Sequence, residues 1–393
     1  MSEYTYIAPC HFGLEAVLKR EIEGIGYKIV RVEDGRVFFS GNEYAAAFAN
    51  ICLRSAERIL LLAGEFTARS FDALYDETKK IAWEEFLPKN AKFWVTKASS
   101  VRSKLCSPSD IQSVMKKAMV DRMGEHYGMR RFPEDGPAYP LRVSIKKDVV
   151  TAAFDTTGTS LHKRGYRVSP VIAPISETLA AALIELTPWH PDRVLVDPFC
   201  GSGTIPIEAA MMARNIAPGA KRSFLAENWS SILAAESWEK ARGRAAEGVR
   251  EISKDDVDIQ GFDIDPLAVR YARENAREAG VLDLIHFQTR DVAKLSHPKK
   301  YGFIITNPPY GERLEDKAAL PALYETIGRA YAGLDSWSMY LITSYEDAER
   351  YIGRRADKNR KIYNGMLKTY FYQYLGPKPP RREKKTEQRQ SEE

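Results

Sequence analysis

Cysteine is scarce in this chain. Cys10, Cys52, Cys106 and Cys200 are the only four in 393 residues, and they stand far apart. With no Cys-x-x-Cys pair, neither a zinc site nor a disulfide framework is expected, and the usage suits a reducing cytoplasm. Long apolar runs are also missing: no stretch of about 18 apolar residues occurs, which excludes a helical membrane span. The opening MSEYTYIAPCHF lacks a basic start and a long apolar segment, so no signal peptide is expected. Nor does one sign of charge dominate, since 58 Lys and Arg face 53 Asp and Glu for a net +5. At 44% hydrophobic and 28% charged residues the composition excludes global disorder, and the length suggests two or three domains.

The small positive excess is concentrated. Residues 66–165 hold 18 basic and 12 acidic side chains, net +6, whereas 1–65 and 166–375 sum to −2 and −1. That middle segment is where a polyanion is best accommodated, although six charges over a hundred residues also describe a solvated surface.

Residues 1–65 read as a small α+β unit, with a helix over Leu14–Ile22, strands at Tyr27–Val32 and Arg36–Phe39 joined by Asp34-Gly35, a helix from Asn42 to about Ser55, and a strand at Arg58–Gly64. In residues 66–165, helical spacing covers Phe71–Phe86 and Ser109–Met123, and strand patterns cover Lys92–Thr96, Leu141–Ile145 and Asp148–Asp155. From about Pro170, apolar runs at Val194–Asp197, Val257–Asp263, Leu284–Gln288, Phe303–Thr306 and Met339–Thr343 alternate with helical stretches. This is the pattern of a doubly wound parallel sheet. The charged segment after Gly376 has no apolar anchor and is expected to be disordered.

Three strand ends carry residues suited to a nucleoside-bearing cofactor. Asp197-Pro-Phe-Cys-Gly-Ser-Gly-Thr204 follows the first strand of this sheet, and Gly201 and Gly203 permit a sharp turn and close ligand approach. Pro206 replaces the third glycine of a dinucleotide fingerprint, and the lysine of a P-loop is absent, so the loop is not built for phosphates. At the next strand end, Asp263 can accept both hydroxyls of a ribose and Ile264 can lie against an adenine face. At the third, in Thr289-Arg-Asp-Val292, Asp291 can accept from an adenine amine. Each aspartate alone is more often a helix cap.

The decisive motif is Asn307-Pro308-Pro309-Tyr310, again after an apolar strand. An exocyclic amine on a base is a poor nucleophile because its lone pair is delocalised into the ring. The Asn307 amide oxygen and the Pro308 carbonyl can accept its two N–H bonds and meet the charge that develops on nitrogen. The prolines fix φ and keep that carbonyl in place, and Tyr310 offers a face for an unstacked base. A sulfonium methyl donor needs neither metal nor covalent nucleophile. Alone, Pro-Pro after a strand is equally a plain turn.

On these residues the chain resembles Rossmann-like S-adenosylmethionine-dependent methyltransferases, with DPFCGSGT as donor loop and NPPY as the amine-methylation motif. LHKRGYR at 161–167, APISETLAAAL at 173–183 and RSFLAENW at 222–229 extend the resemblance to a bacterial family with ferredoxin-like and THUMP RNA-binding domains. The best-known relative in that family is the N-terminal half of a large-subunit ribosomal RNA (23S rRNA) guanine-N2 methyltransferase. The resemblance implies a ferredoxin-like unit at 1–65, a THUMP domain at 66–165, a methyltransferase domain at 166–375 and a tail at 376–393. It implies S-adenosylmethionine contacts from Asp197, Phe199, Gly201, Gly203, Asp263, Ile264, Asp291 and Val292, and target-base contacts from Asn307, Pro308, Pro309 and Tyr310. Arg102, Lys104, Lys116, Lys117, Arg130 and Arg131 become candidate RNA-backbone contacts, with Lys163 and Arg164 where domains meet; each is otherwise a solvated surface charge.

Asp263 lies 60 residues beyond Gly203, where about 20 is usual. The intervening Asn215–Asp256 therefore reads as an insertion, whose Trp229 and Trp238 are expected to pack against the sheet rather than touch RNA. The implied activity is methyl transfer to guanosine N2 in ribosomal RNA. A tRNA guanine-N2 enzyme, an adenine-N6 enzyme and a non-catalytic RNA-binding or assembly factor remain as rivals. NPPY itself does not separate the two amines.

Overall fold

The structure, a computed structural model, describes residues 3–168, 175–310, 316–365 and 367–380. The chain begins with β1 (Tyr4–Pro9), α1 (Glu15–Gly24), β2 (Lys28–Glu33), β3 (Arg36–Gly41) and α2 (Glu43–Cys52). Gly35, at φ +76°, makes the turn between β2 and β3 as its Asp-Gly context predicts. There follow β4 (Leu60–Thr67), α3 (Phe71–Lys80), β5 (Lys92–Val101), α4 (Pro108–Tyr127), β6 (Ala138–Lys146) and β7 (Val149–Asp155). The helical spacing over Phe71–Phe86 is interrupted after Lys80. Ile81 turns extended, and Trp83 enters the core, where its indole N–H donates to the Thr78 carbonyl at 2.8 Å. The helix expected over Ser109–Met123 is longer at both ends, capped by the Ser107 hydroxyl with Pro108 in the first turn and stopped by Gly128 at φ +64°.

These strands form one sheet in the order β2-β3-β1-β4-β7-β6-β5. β4 pairs with β1 on one side and along its length with β7 on the other, so a boundary drawn at residue 65 falls inside a strand that both units share.

The second half contains α5 (Glu177–Glu185), β8 (Leu195–Asp197), α6 (Thr204–Ala213), α7 (Ala235–Glu247), β9 (Ile259–Asp263), α8 (Pro266–Ala279) and β10 (Ile285–Thr289). It continues with β11 (Phe303–Thr306), α9 (Leu320–Ala332), β12 (Ser338–Thr343), α10 (Ala348–Ile352), β13 (Lys358–Asn364) and β14 (Leu367–Tyr374). Its sheet has the order β10-β9-β8-β11-β12-β14-β13. The first five of these strands run parallel, and β14 and β13 are antiparallel additions for which the sequence pattern carried no expectation. The doubly wound, mostly parallel architecture is therefore present. One apolar layer, including Leu179, Ile207, Ala272 and Phe371, covers one face; another, including Tyr324, Met339 and Tyr372, covers the other. No helix among the described residues is long and apolar enough to cross a membrane. Of the charged tail, residues 376–380 carry no helix or strand, and 381–393 lie outside the described residues.

The insertion packs against a sheet, but against the first one. Trp229 is fully buried and stacks on Tyr139 of β6 at 4.6 Å between ring centroids, 16° from parallel. Its indole N–H donates to the Ala138 carbonyl at 2.8 Å. Trp238, on α7, stacks on Phe224 at 5.3 Å, and both belong to the core of the N-terminal half. The insertion thus fastens the two halves of the chain by apolar burial.

Candidate functional site

The strands β8 and β11 lie side by side and parallel, with Ile304 opposite Val196. Their following loops therefore emerge together at the carboxyl end of the sheet. The chain leaves β8 toward β9 and β10 on one side and returns to β11 on the other, so this is the switch point at which such sheets bind ligands. The two loops are tied directly: Thr306 donates its hydroxyl proton to Asp197 Oδ1 at 2.6 Å, and Phe199 N–H donates to the same oxygen at 3.1 Å.

Gly201 and Gly203 both adopt positive φ, +52° and +85°. A side chain at Gly201 would project into open space, whereas at Gly203 it would meet Ala272 Cβ at 3.0 Å and Phe287 at 3.1 Å. Gly203 is thus required for packing and Gly201 leaves room beside the loop. Asp263 crosses from the end of β9 to accept from Gly201 N–H at 2.9 Å, while its other oxygen accepts from Asp265 N–H at 3.0 Å. Asp265, not Asp263, caps α8, by accepting from Leu267 N–H. Ile264 next to it is 70% exposed, more than any other large apolar side chain among the described residues. Asp291 uses one oxygen to cap the short turn that follows it, and Val292 is buried under the sheet. Asp197, Phe199, Gly201, Gly203, Asp263, Ile264 and Asp291 therefore converge along three adjacent strand ends. A concave loop without a Cβ at Gly201, a carboxylate and an exposed apolar face fit a nucleoside-bearing methyl donor.

Asp197 is 1% exposed, and burial pushes its carboxyl up to about 7, against the opposing hydrogen bonds from Thr306 and Phe199. Because the folded value lies above the unfolded one, the folded state holds the proton more tightly across the window between them. Stability therefore falls as pH rises from about 4 to about 7, by roughly 1.4 kcal/mol per pH unit. In urea unfolding without donor, the wild type is expected to lose stability relative to Asp197→Asn between pH 5 and pH 8. Parallel pH profiles would contradict this.

Of the motif Asn307–Tyr310, Pro308 is buried, Asn307 and Tyr310 are half-buried and Pro309 is exposed. Sequence reasoning missed what holds this loop. The fully buried Tyr324 of α9 lies 3.3 Å from the Pro309 carbonyl and 2.6 Å from the Thr343 hydroxyl. A proton donated by Thr343 to Tyr324, and by Tyr324 to the carbonyl, satisfies both groups. It missed Arg167 as well, which donates to Ser202 Oγ at 2.8 Å, to Thr204 Oγ1 at 3.2 Å and to Glu177. Arg167 is the last residue of the basic 161–167 stretch, which was a signal for it; nothing local marks Tyr324.

The basic candidates are scattered. Arg102 and Lys104 sit before α4, and Arg130 and Arg131 follow it, separated by a helix about 30 Å long. These four, Lys117 and Lys163 are exposed. Lys116 is engaged internally, lying 3.7 Å from the Phe93 ring centroid and pairing with Glu134 at 3.2 Å. Arg164 is not available to a ligand: its side chain is 2% exposed, pairs with buried Glu208 at 3.5 Å and donates to the Leu161 and Arg54 carbonyls. Its charge meets three packed segments of the chain rather than solvent.

A model of the methyltransferase domain described as RMKL-like matches residues 164–373, more than half of the chain. The chain belongs to the RMKL-like methyltransferase family. The family's accompanying units are here too, with an RlmL ferredoxin-like domain matching residues 5–60 and a THUMP domain matching 68–155. YpsC of Bacillus subtilis, named as a candidate RNA methyltransferase, is 45% identical over 389 residues, covering 98% of this chain and 100% of its own. Among solved structures, SMU.472, named as a candidate methyltransferase in complex with SAH, has a TM-score of 0.90 at 41% identity over 97% of this chain and 100% of its own. A protein of Listeria monocytogenes, named as a predicted N6-adenine-specific DNA methylase, has a TM-score of 0.89 at 45% identity over 96% and 97%. Members of this family use S-adenosylmethionine as methyl donor, and the geometry above fits that donor.

Proposed function

We propose that this protein transfers a methyl group from S-adenosylmethionine to the exocyclic N2 amine of a guanosine in RNA, with 23S ribosomal RNA as the substrate. The observation that carries this reading is the Asn307–Tyr310 loop emerging beside the donor loop, tied to it by Thr306 and Asp197. In this reading Asp197, Phe199, Gly201 and Gly203 line the methionine side of the donor, and Asp263 takes the ribose hydroxyls. Ile264, Asp291 and the backbone of Val292, whose side chain is buried in the core, border the adenine. The donor supplies a methyl group on a sulfonium, which needs no further activation. Asn307 Oδ1 and the Pro308 carbonyl accept hydrogen bonds from the two amine N–H groups and favour a pyramidal nitrogen whose lone pair points at the methyl group. As the N–C bond forms the S–C bond breaks to leave a neutral thioether, and the methylated nitrogen releases one proton to water. Tyr310 stacks on the extruded base. Positioning and preorganised dipoles carry the rate enhancement.

The RNA substrate is supported by the RlmL-type ferredoxin-like and THUMP units and by the name of the Bacillus relative; the choice of guanine rests on the resemblance drawn from the sequence motifs. A second reading, methylation of adenine N6, is favoured by the name of the Listeria neighbour, since either base offers an exocyclic amine to the same two acceptors. Methyl-labelled S-adenosylmethionine should be incubated with unmodified ribosomal RNA, tRNA and DNA in separate reactions, followed by mass spectrometry of the nucleosides. N2-methylguanosine in ribosomal RNA is expected. The same nucleoside in tRNA moves the substrate, and N6-methyladenine overturns the base assignment.

A further inference from the structure

The carboxyl end of the second sheet continues past Tyr310 into the β13–β14 hairpin, which none of the motifs above includes. In its antiparallel register Lys361 stands opposite Tyr370 and Tyr363 opposite Lys368. Residues directly opposite share a face, so these four form a cross-strand quartet of alternating cation and ring. Lys361 Nζ lies 5.0 Å from the Tyr363 ring centroid and Lys368 Nζ 4.8 Å from that of Tyr370. Both lysines are exposed and both tyrosines half-buried. Glu346, on the neighbouring loop, adds its attraction to Lys368.

The quartet joins two other surfaces. On one side, Leu367 at the start of β14 lines a cavity of about 590 Å³ together with Tyr310, Lys317, Tyr345 and Glu346. On the other side is Phe12, from the loop between β1 and α1. It is 48% exposed and meets the Tyr363 ring edge-on at 5.8 Å. That loop is fastened to β13: His11 Nδ1 lies 3.0 Å from the Tyr363 carbonyl oxygen, and Arg360 donates to the Gly13 carbonyl at 3.1 Å. Rings and cations therefore line the hairpin from Phe12 to Lys368, and Glu346 links Lys368 to the cavity that Tyr310 lines.

We propose that this hairpin face, with Phe12, binds the single-stranded RNA nucleotides that flank the target nucleotide. Lys361 and Lys368 meet the phosphates, and Tyr363 and Phe12 offer stacking faces. The inference rests on the RNA reading above. An enzyme that takes a base out of its stack leaves the neighbouring nucleotides unstacked as well, with free π-faces and a charged backbone leading away from the pocket. Alternating aromatic and basic side chains are the surface that such strands bind with little sequence preference.

The test uses the full chain, a short fluorescein-labelled single-stranded RNA read by anisotropy over a salt series, and methyl transfer to unmodified ribosomal RNA. Lys361→Gln/Lys368→Gln removes both charges while keeping part of each apolar stem. It is expected to weaken RNA binding about tenfold at low salt and to flatten the slope of log K against log salt by about 1.4, two single-strand phosphate contacts. KM for RNA should rise with kcat and S-adenosylmethionine affinity unchanged. Tyr363→Ala should weaken binding about tenfold with the salt slope retained, and Tyr363→Phe should restore it. Wild-type RNA affinity and salt slope in the double lysine variant would overturn the platform while leaving RNA methylation standing. A wild-type protein that methylates DNA and neither binds nor methylates RNA would overturn the RNA reading and the platform together.

Discussion

Replacing Asn307 by alanine is expected to lower kcat by about two to three orders of magnitude while S-adenosylmethionine binds as in the wild type. The asymmetry follows from where the side chain sits. Asn307 is the first residue after β11, half-buried at the mouth of the crevice, and the donor loop is held by other residues. Gly201 is fixed by Asp263, and Ser202 and Thr204 by Arg167. In the proposed reading the Asn307 amide oxygen gains strength as an acceptor only when the amine becomes positively charged. Its loss therefore falls on the transition state, and losing one such preorganised group costs about 10²–10³ in rate. Calorimetric titration of donor, beside single-turnover transfer to RNA, separates the two quantities. Equal loss of both, or full remaining activity, would count against the role given to Asn307.

Trp229→Ala is expected to have the largest effect on stability, about 4 kcal/mol. The substitution empties a site closed by Tyr139 on one face and by Phe154, which meets the indole edge-on at 6.2 Å. It also removes the donor to the Ala138 carbonyl, a part-buried hydrogen bond worth about 1 kcal/mol. Because Trp229 belongs to the insertion after α6 and its partners to β6 and β7, the loss should also loosen the two halves of the chain from each other. Urea unfolding followed by tryptophan fluorescence, with limited proteolysis under native conditions, measures both consequences. A change below about 1 kcal/mol with unaltered cleavage would show that the insertion does not hold the halves together.

Much of the catalytic half was legible because its signals are local. A glycine loop, a proline pair and an aspartate just past an apolar run each impose their own backbone demands, whatever surrounds them. The parallel sheet then carries them to the same edge, since five apolar runs alternating with helices leave few ways to connect. Local signals failed where the partner is distant. Asp265 and Asp291 are caps, as an aspartate past a strand often is, yet Asp263 is engaged by Gly201, 62 residues earlier. Within the 161–167 stretch, nothing in the sequence separates Lys163 from its neighbour Arg164, yet Lys163 is exposed and Arg164 is buried.

The sequence by itself determined the chemistry of the strand ends: which loop can bend around a donor, which carbonyl is rigid, and which residues alternate into a buried sheet. Only the tertiary structure decided which charges remain in water and which surfaces adjoin. Arg164 is withdrawn by Glu208 and Arg54, the insertion tryptophans are claimed by the sheet of the other half, and the β13–β14 hairpin joins the sheet because β14 pairs antiparallel with β12. The physical reason is the range of the interaction. Backbone conformation is set by a residue and its neighbours, whereas desolvation depends on everything packed around a side chain, and in this chain that packing comes from residues tens to hundreds of positions away.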